Sequence, residues 1–331
     1  MEILSPKRLE GEDSFERSLR PRSFSEFIGQ KNVVSNLRVY VFAASKRGEP
    51  LDHVLLHGPA GLGKTTLAMI IAREMGARIR VTSGPAVERP GDLASILSSL
   101  EKGDVLFIDE IHRLHPSVEE VLYPAMEDFS LDIVVGKGTG ARDIRIKIAP
   151  FTLIGATTRF ARLTPPLRSR FGIIERIDFY PVEEMKAIIE RSCKILHIEI
   201  DEEAKSEIAE RSRGTPRIAN RLLRRIRDFA EVEGNGKITK EVALNALERL
   251  RIDRHGLDEL ERKLLRILVE DFGGGPVGLK TLAAALKEET ETIEEVHEPY
   301  LIQKGFLART SRGRMATEKA YKLFSKGVSL F

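Results

Sequence analysis

The sequence predicts a three-part α/β protein. A main domain is built on a largely parallel sheet covered by helices, a small all-helical domain follows, and a winged helix-turn-helix ends the chain. Three observations predict it. From about residue 20 to about 180, short apolar runs alternate with helix-length amphipathic segments, the pattern of parallel strands joined by helical crossovers. After Pro181 the strand-like runs stop, and helical periodicity alone continues to about residue 252. Beyond residue 257 the order becomes helix, glycine turn, two short helices and a basic hairpin, which is that of a winged helix.

The expected strands are 54–57, 79–82, 105–108, 151–156 and 173–179, each a short run rich in Val, Ile, Leu or Phe. Helices are expected at 182–196, 202–211, 215–232 and 239–250. A linker is expected near Asp253-Arg254-His255-Gly256. In the last segment 257–270 is an amphipathic helix, and Gly273-Gly274-Gly275-Pro276 is a turn. Helices at 279–286 and 292–304 follow, then extended stretches at 306–310 and 314–317 joined at Ser311-Arg312-Gly313. The expected boundaries are a loosely held polar arm at 1–19, the sheet domain at 20–181, the helical domain at 182–254 and the winged helix at 255–331. No internal repeat or low-complexity segment interrupts them.

At 331 residues the chain is long enough for two or three packed domains. No apolar run is long enough to span a bilayer, and the N-terminus lacks a signal peptide's apolar segment. The single Cys193 cannot form an internal disulfide and reads as a small buried apolar residue, which suits a reducing cytoplasm. Net charge is only +3, but local charge is uneven: residues 211–227 carry seven arginines and no acid, and the chain from Lys304 onward has seven basic residues and one acid, Glu318. The arginines of 215–232 other than Arg217 are expected on a solvated or subunit-contacting face.

The run Gly58-Pro59-Ala60-Gly61-Leu62-Gly63-Lys64-Thr65 fits the phosphate-binding loop, with a strand leading in and a helix from Thr66 leading out. Glycines let the backbone curl so that its N–H groups face phosphate oxygens, and the helix adds its positive end. Gly61, Leu62, Gly63, Lys64, Thr65 and Thr66 are therefore the expected nucleotide-binding set, with Lys64 on the outer phosphates and the Thr65 hydroxyl on Mg²⁺. The strand 105–108 runs into Asp109 and Glu110. Beside a phosphate loop, Asp109 is placed to hold Mg²⁺ and Glu110 to polarise the attacking water. ATP and Mg²⁺ are the expected ligands.

Other signals are weaker alone. Strand 151–156 ends in Thr157-Thr158-Arg159, where Thr158 is placed to orient water or the terminal phosphate. Arg168 and Arg170 stand at a chain turn, and either an arginine finger or surface solvation fits the spacing. Pro216 suits the first turn of a helix that carries Arg217, which is then able to face nucleotide. His112 and His115 share a helix face at a spacing of three, with no third metal ligand close by. The acidic stretch 290–298 is a poor start for a DNA-reading helix and favours non-specific backbone contact by the wing.

The residues that carry a family resemblance are Arg20-Pro21, Phe27-Ile28-Gly29-Gln30, the phosphate loop, Phe107-Ile108-Asp109-Glu110-Ile111-His112-Arg113-Leu114, Gly155-Ala156-Thr157-Thr158, Leu167-Arg168-Ser169-Arg170-Phe171 and Gly214-Thr215-Pro216-Arg217. Asp258-Glu259, Gly274-Gly275-Pro276-Val277-Gly278 and Gly305-Phe306-Leu307-Ala308-Arg309-Thr310 extend it through the C-terminal domain. In these the chain resembles the RuvB family, bacterial AAA+ motors that drive branch migration of four-way Holliday junctions in recombination and repair. The likeness runs from about residue 18 to about 322.

That resemblance implies an AAA+ ATPase domain, a helical lid and a winged helix, assembled as a hexameric ring around duplex DNA. It implies that ATP binds between the two ATPase domains and that Arg170 is a finger inserted into the neighbouring subunit's site. Thr158 becomes a sensor on the strand and Arg217 a sensor on the lid. Arg20 and Pro216 join the nucleotide-binding set, with Ile28 and Tyr180 near adenine. Residues about 130–148 become a β-hairpin that docks the partner RuvA, its second arm presenting Ile144, Ile146 and Ile148 on one face. Arg309, Arg312 and Arg314 of the wing are to meet phosphates, and RuvC resolvase joins the larger complex. The chain departs from the family pattern at Ala60, where a second Pro is usual. Phosphate binding should survive with a more flexible loop, and a more than tenfold gain in ATP affinity for Ala60→Pro would contradict this.

An origin-binding initiator of the AAA+ class shares the domain order and stays open as an alternative. It predicts site-specific duplex footprints with negligible turnover. A clamp-loader subunit fits less well, since such subunits usually carry Cys where this chain has Phe171 and end in a helical collar. A protein unfoldase lacks support, because no aromatic-Gly pore loop follows the phosphate loop. A pure interaction protein has no use for Lys64 and an intact set of acids.

Overall fold

The computed structural model describes residues 2–5, 13–135, 142–233 and 235–324, and it divides into two compact units. One comprises Arg20–Asp178. The other joins Met1–Leu19, which carries helix α1 (Asp13–Leu19), to Phe179–Phe331.

In Arg20–Asp178, helix α2 (Lys31–Arg47) leads to strand β1 (Val54–His57), helix α3 (Lys64–Glu74) and strand β2 (Ile79–Ser83). Helix α4 (Pro90–Ser98), strand β3 (Val105–Asp109) and helix α5 (Pro116–Glu127) follow. Strands β4 (Ser130–Val135) and β5 (Arg142–Lys147) pair antiparallel as a hairpin. The tip expected at Lys137-Gly138-Thr139-Gly140 lies outside the described residues. Strand β6 (Thr152–Thr157), short helix α6 (Pro165–Ser169) and strand β7 (Ile173–Arg176) complete the unit.

The five-stranded sheet has the order β2-β3-β6-β1-β7 and every pairing in it is parallel. All strands therefore end at one edge, and β3, β6 and β1 deliver their last residues side by side, where α/β sheets bind ligands. Apolar side chains force this arrangement: every residue of β6 is buried, and Leu55, Leu106, Ile108 and Leu153 face a core completed by Leu93, Leu97, Val118 and Leu122 of α4 and α5. β7 stops at Arg176, three residues before the expected end, and the Ile177 N–H makes a further bond to the His57 carbonyl at 2.8 Å.

Inside this core His53 joins three elements. It accepts the Leu153 N–H at Nδ1 (2.9 Å) and its Nε2 lies 3.1 Å from the Met126 carbonyl, beside the Phe129 and Phe151 rings. Since Nδ1 accepts, Nε2 must carry the proton. Burial lowers the pKa of this ring, so the neutral form persists.

The second unit holds a helical lid and a winged helix. Helices α7 (Val182–Leu196), α8 (Glu202–Arg211), α9 (Pro216–Glu233) and α10 (Lys240–Arg249) form the lid, with β8 (Glu199–Ile200) paired to β9 (Lys237–Ile238). The arm expected to be loosely held folds onto the lid where it is described. Ile3 and Leu4 are buried, Arg221 donates to the Ser5 carbonyl, and Arg191 donates to the Leu19 carbonyl at 2.6 Å.

Helix α11 (Glu259–Arg266), a π-turn at Ile267–Asp271, and helices α12 (Leu279–Leu286), α13 (Thr290–Thr292) and α14 (Glu298–Gln303) build the winged helix around Leu264, Leu282, Leu301 and Phe306. Strands β10 (Leu307–Thr310) and β11 (Gly313–Ala316) are the wing, and helix α15 (Glu318–Phe324) closes the domain.

The expected linker at 253–256 is a tied junction. Asp253 is fully buried, and its Oδ1 accepts the N–H groups of His255 and Leu257 at 2.8 and 2.9 Å. Its carbonyl accepts from Arg211 Nε at 3.1 Å, and the Gly256 carbonyl from Arg213 Nε at 3.0 Å. Arg213 then reaches Glu261 bidentately at 2.8 and 2.6 Å while its guanidinium stacks 4.4 Å from the Tyr300 ring centre. Arg211, Arg213 and Arg221 are all buried, and Arg221 thereby departs from the solvated or subunit-contacting face expected for the arginines of 215–232 other than Arg217. Buried guanidinium is tolerated because every one of these finds a carbonyl or carboxylate.

Arg314 needs a parallel correction. It is buried and held bidentately by Glu298, so its charge is spent inside the wing and is not presented to phosphates. Arg309 bonds Glu294 at the surface (2.9 Å) and Arg312 is exposed, so both can turn to an external anion.

Candidate nucleotide-binding and hydrolysis site

Parallel strands bring the chemistry-bearing loops to the same sheet edge. The loop after β1 curls tightly. Gly58 has φ 141°, and a Cβ there would run into the Ile177 carbonyl, so only glycine fits. Lys64 opens α3, is buried, and donates to the Gly58 and Pro59 carbonyls at 2.8 and 2.7 Å. Its ammonium thus sits inside the loop. Leu62 is fully buried and anchors the loop from below, while Gly61, Gly63, Thr65 and Thr66 remain partly open.

Asp109 ends β3, next to this loop. The Thr65 hydroxyl lies 3.4 Å from Asp109 Oδ2, and Asp109 Oδ1 accepts the Glu110 N–H at 2.9 Å. Two hard oxygens this close, at the N-terminus of a helix, fit Mg²⁺, which takes one or two protein oxygens at about 2.1 Å and fills its octahedron with water and phosphate.

Glu110 follows in left-handed backbone, φ 48°, an unusual conformation for a residue with a side chain. Gly84 makes this possible, since any Cβ at Gly84 would meet the Glu110 carbonyl. The turn swings the Glu110 carboxylate off the strand axis to the surface, where it pairs with Arg113 at 3.1 Å and stays about half exposed.

β6 ends between β3 and β1. Thr157 is buried there, its hydroxyl accepting the Arg159 N–H at 2.9 Å and lying 2.9 Å from His112 Nδ1. Thr158, the next residue, is exposed at the same edge. His112 lies in a single 3-10 turn (Ile111–Arg113) and its pKa is lowered by burial first. His115 caps α5 instead, accepting the Ser117 N–H, so the two do not share a helix face. Among the described residues the only cluster of three metal-type ligands is Asp258, Glu261 and His297, and Arg213 already fills it.

Lys64, Thr65, Asp109, Glu110 and Thr158 are thus assembled at one edge. Arg20 lies against α3, its guanidinium 3.4 Å from Met69 Sδ, and Ile28 is partly buried nearby in sequence to Gln30, whose side chain bonds the Asp178 backbone. Tyr180, Pro216 and Arg217 belong to the other unit. There Tyr180 is buried and donates its N–H to the Gly214 carbonyl, and Arg217 pairs with Glu16 at 3.0 Å. Arg170 does not join the cluster but packs on α5, bonding Glu127. In the hairpin, Ile144 and Ile146 are exposed by 45 and 43%, whereas Ile148 turns back to the core. Ile148 therefore does not share their face. Sequence reading missed Gly84, Arg113 and the Thr157–His112 pair. Gly84-Pro85 directly after β2 was the one available hint, and partners 45 residues apart leave none.

Three family models cover the chain in succession. The Holliday junction DNA helicase RuvB P-loop domain matches residues 19–177, the RuvB AAA lid domain residues 180–253, and the RuvB C-terminal winged helix domain residues 254–325. Among solved structures, the Thermotoga maritima RuvB Holliday junction branch migration motor is 55% identical, with 94% of this chain and 100% of that chain covered and a TM-score of 0.85. The K64R mutant of Thermotoga maritima RuvB matches equally well at 55% identity, 94% and 99% coverage and TM-score 0.85. Its R170A counterpart is 55% identical over 94% and 99% with TM-score 0.84.

Proposed function

Because the chain belongs to the RuvB family of Holliday junction branch migration motors, we propose that it hydrolyses ATP to move four-way DNA junctions, with the residues described above in definite roles. The observation that carries the chemistry is the convergence of Lys64, Thr65, Asp109 and Glu110 at one edge of a parallel sheet. Lys64 and the loop N–H groups hold the outer phosphates. Thr65 and Asp109 hold Mg²⁺, which neutralises phosphate charge when bound. Glu110 accepts the proton of the attacking water, and its pairing with Arg113 at the surface leaves it able to turn inward. Thr158 orients that water or the terminal phosphate.

Arg170 serves as a finger toward a neighbouring subunit, and Arg217, Pro216 and Tyr180 keep the nucleotide-sensing roles the family likeness gives them. The working form is a homo-hexameric ring on duplex DNA in the cytoplasm, with Arg309 and Arg312 on phosphates. Ile144 and Ile146, exposed on the hairpin, are what RuvA docks against, and RuvC joins the resulting complex. No described helix is long and apolar enough to cross a membrane.

The test is dissociation of a labelled synthetic four-way junction by this chain with ATP, Mg²⁺ and a RuvA protein, with Lys64→Ala as control. Strand separation that requires ATP, RuvA and Lys64 is the expected result. An intact junction with negligible turnover and site-specific duplex footprints, if it persists across several RuvA proteins, would instead favour the initiator class.

A further inference from the structure

Outside the sheet edge, Arg170 is itself a closely held charged group of the Arg20–Asp178 unit, and what constrains it is α5. The guanidinium lies 4.4 Å from the Tyr123 ring centre, one terminal nitrogen donates to the Pro166 carbonyl at 2.7 Å, and the other meets Glu127 Oε1 at 3.0 Å. Its side chain is only 19% exposed, and its Nε is buried with no hydrogen-bond partner among the described residues. An ordinary surface ion pair between two long side chains holds neither of them in one geometry. This one differs because the ring beneath it is itself fixed. Tyr123 donates to Glu119 at 2.8 Å, Glu119 is buried, and it also accepts from Thr164, which caps the N-terminus of the helix that ends at Arg170. α5 therefore grips α6 at both ends.

We propose that Glu127 is a positioning residue for the Arg170 finger. Each terminal nitrogen of a guanidinium carries two N–H bonds. One from each is taken by Pro166 and Glu127, and the remaining pair is left for phosphate oxygens. Tyr123 blocks one face, so the side chain is limited to one approach. Glu127 acts through Arg170 and touches no substrate. The inference rests on the reading of Arg170 as a finger.

The experiment is steady-state ATP hydrolysis by the full chain with duplex DNA and Mg²⁺, for wild type, Glu127→Gln, Arg170→Ala and the double variant. Glu127→Gln keeps the side chain's shape and removes only its charge-assisted bond. A loose finger should lower kcat by roughly three- to tenfold, with the KM for ATP within about twofold. In the Arg170→Ala background the same change should have no effect on kcat, a non-additivity that a merely structural role does not produce. Wild-type turnover for Glu127→Gln, or an equal loss with and without Arg170, overturns the positioning role while leaving the finger intact. Undiminished turnover for Arg170→Ala removes the finger, and Glu127's role with it.

Discussion

The nucleotide edge and the junction between lid and winged helix are both crowded with ionisable groups, and they use them in opposite ways. At the junction the charges of Arg213 and Glu261 are consumed by one another. Arg213 gives Nε to the Gly256 carbonyl and both terminal nitrogens to Glu261, whose side chain is wholly buried, and His297 lies 3.3 Å from the same carboxylate. At the nucleotide edge bonding capacity is left over. Thr65 and Asp109 stand 3.4 Å apart, beyond a good hydroxyl–carboxylate bond, and Glu110 leans outward in strained backbone. A saturated cluster fixes one geometry. An unsaturated one is stable only as far as the surrounding sheet holds it, and its spare valences are what a ligand uses.

The contrast breaks if removing a charge has the same consequence in both places. Glu110→Gln should cut ATP turnover by about 10²–10⁴-fold while leaving thermal unfolding unchanged, because general-base assistance is worth that much and the side chain supports little. Measured turnover near wild type would mean that another group activates the water.

Arg213→Ala should do the reverse and destabilise the lid–winged-helix unit by about 3–5 kcal/mol, read by denaturant unfolding, since it strands a buried carboxylate. Replacing both partners, Arg213→Met with Glu261→Leu, should recover most of the loss. pH sharpens the point. Burial alone would raise the Glu261 carboxyl, but Arg213 and His297 outweigh it and hold the pKa low. A carboxyl lowered on folding contributes stability above its unfolded pKa of about 4.3, and that contribution fades as pH falls through the lower folded value. Asp258 acts the other way, raised by burial and by the neighbouring Glu261 charge. Without Arg213 the Glu261 pKa should rise, so the variant should gain stability as pH drops from about 7 to about 5. A variant whose stability is flat over that range would show that the carboxylate had found another partner.

The smallest effect separates the wing arginines. Arg309→Ala should weaken duplex binding modestly and lower the slope of log affinity against log salt by about 0.9, the value of one phosphate contact. Arg314→Ala should chiefly lower stability, because its guanidinium is already bound to Glu298.

The ATPase half was legible for a physical reason. Strands of a buried parallel sheet are continuous apolar runs, and a phosphate loop needs particular residues at fixed offsets, so 54–57 and 58–65 could be read locally. Helices α7, α8 and α12 likewise have the bounds their periodicity implies. The junction was not legible. An arginine bound for the interior looks the same in sequence as one bound for solvent, and Arg213 finds its carboxylate 48 residues away. Arg314 was misread for the same reason, with Glu298 16 residues off on another element. The end of β7 at Arg176 and the packing of Ile148 on the core are single-residue features that composition does not register. Glu110 was picked by its neighbour Asp109, but the room for its backbone comes from Gly84 on a different strand's exit loop.

His53 has a consequence of a spectroscopic kind. Its two ring nitrogens are made inequivalent by different elements, Nδ1 by the β6 backbone and Nε2 by the last turn of α5. Hydrogen bonding shifts the resonance of each nitrogen separately, and burial lowers the pKa of the ring, favouring its neutral form. A label on this one imidazole therefore reports the α5-to-sheet spacing directly, from inside the domain, without a dye or a substitution at the surface.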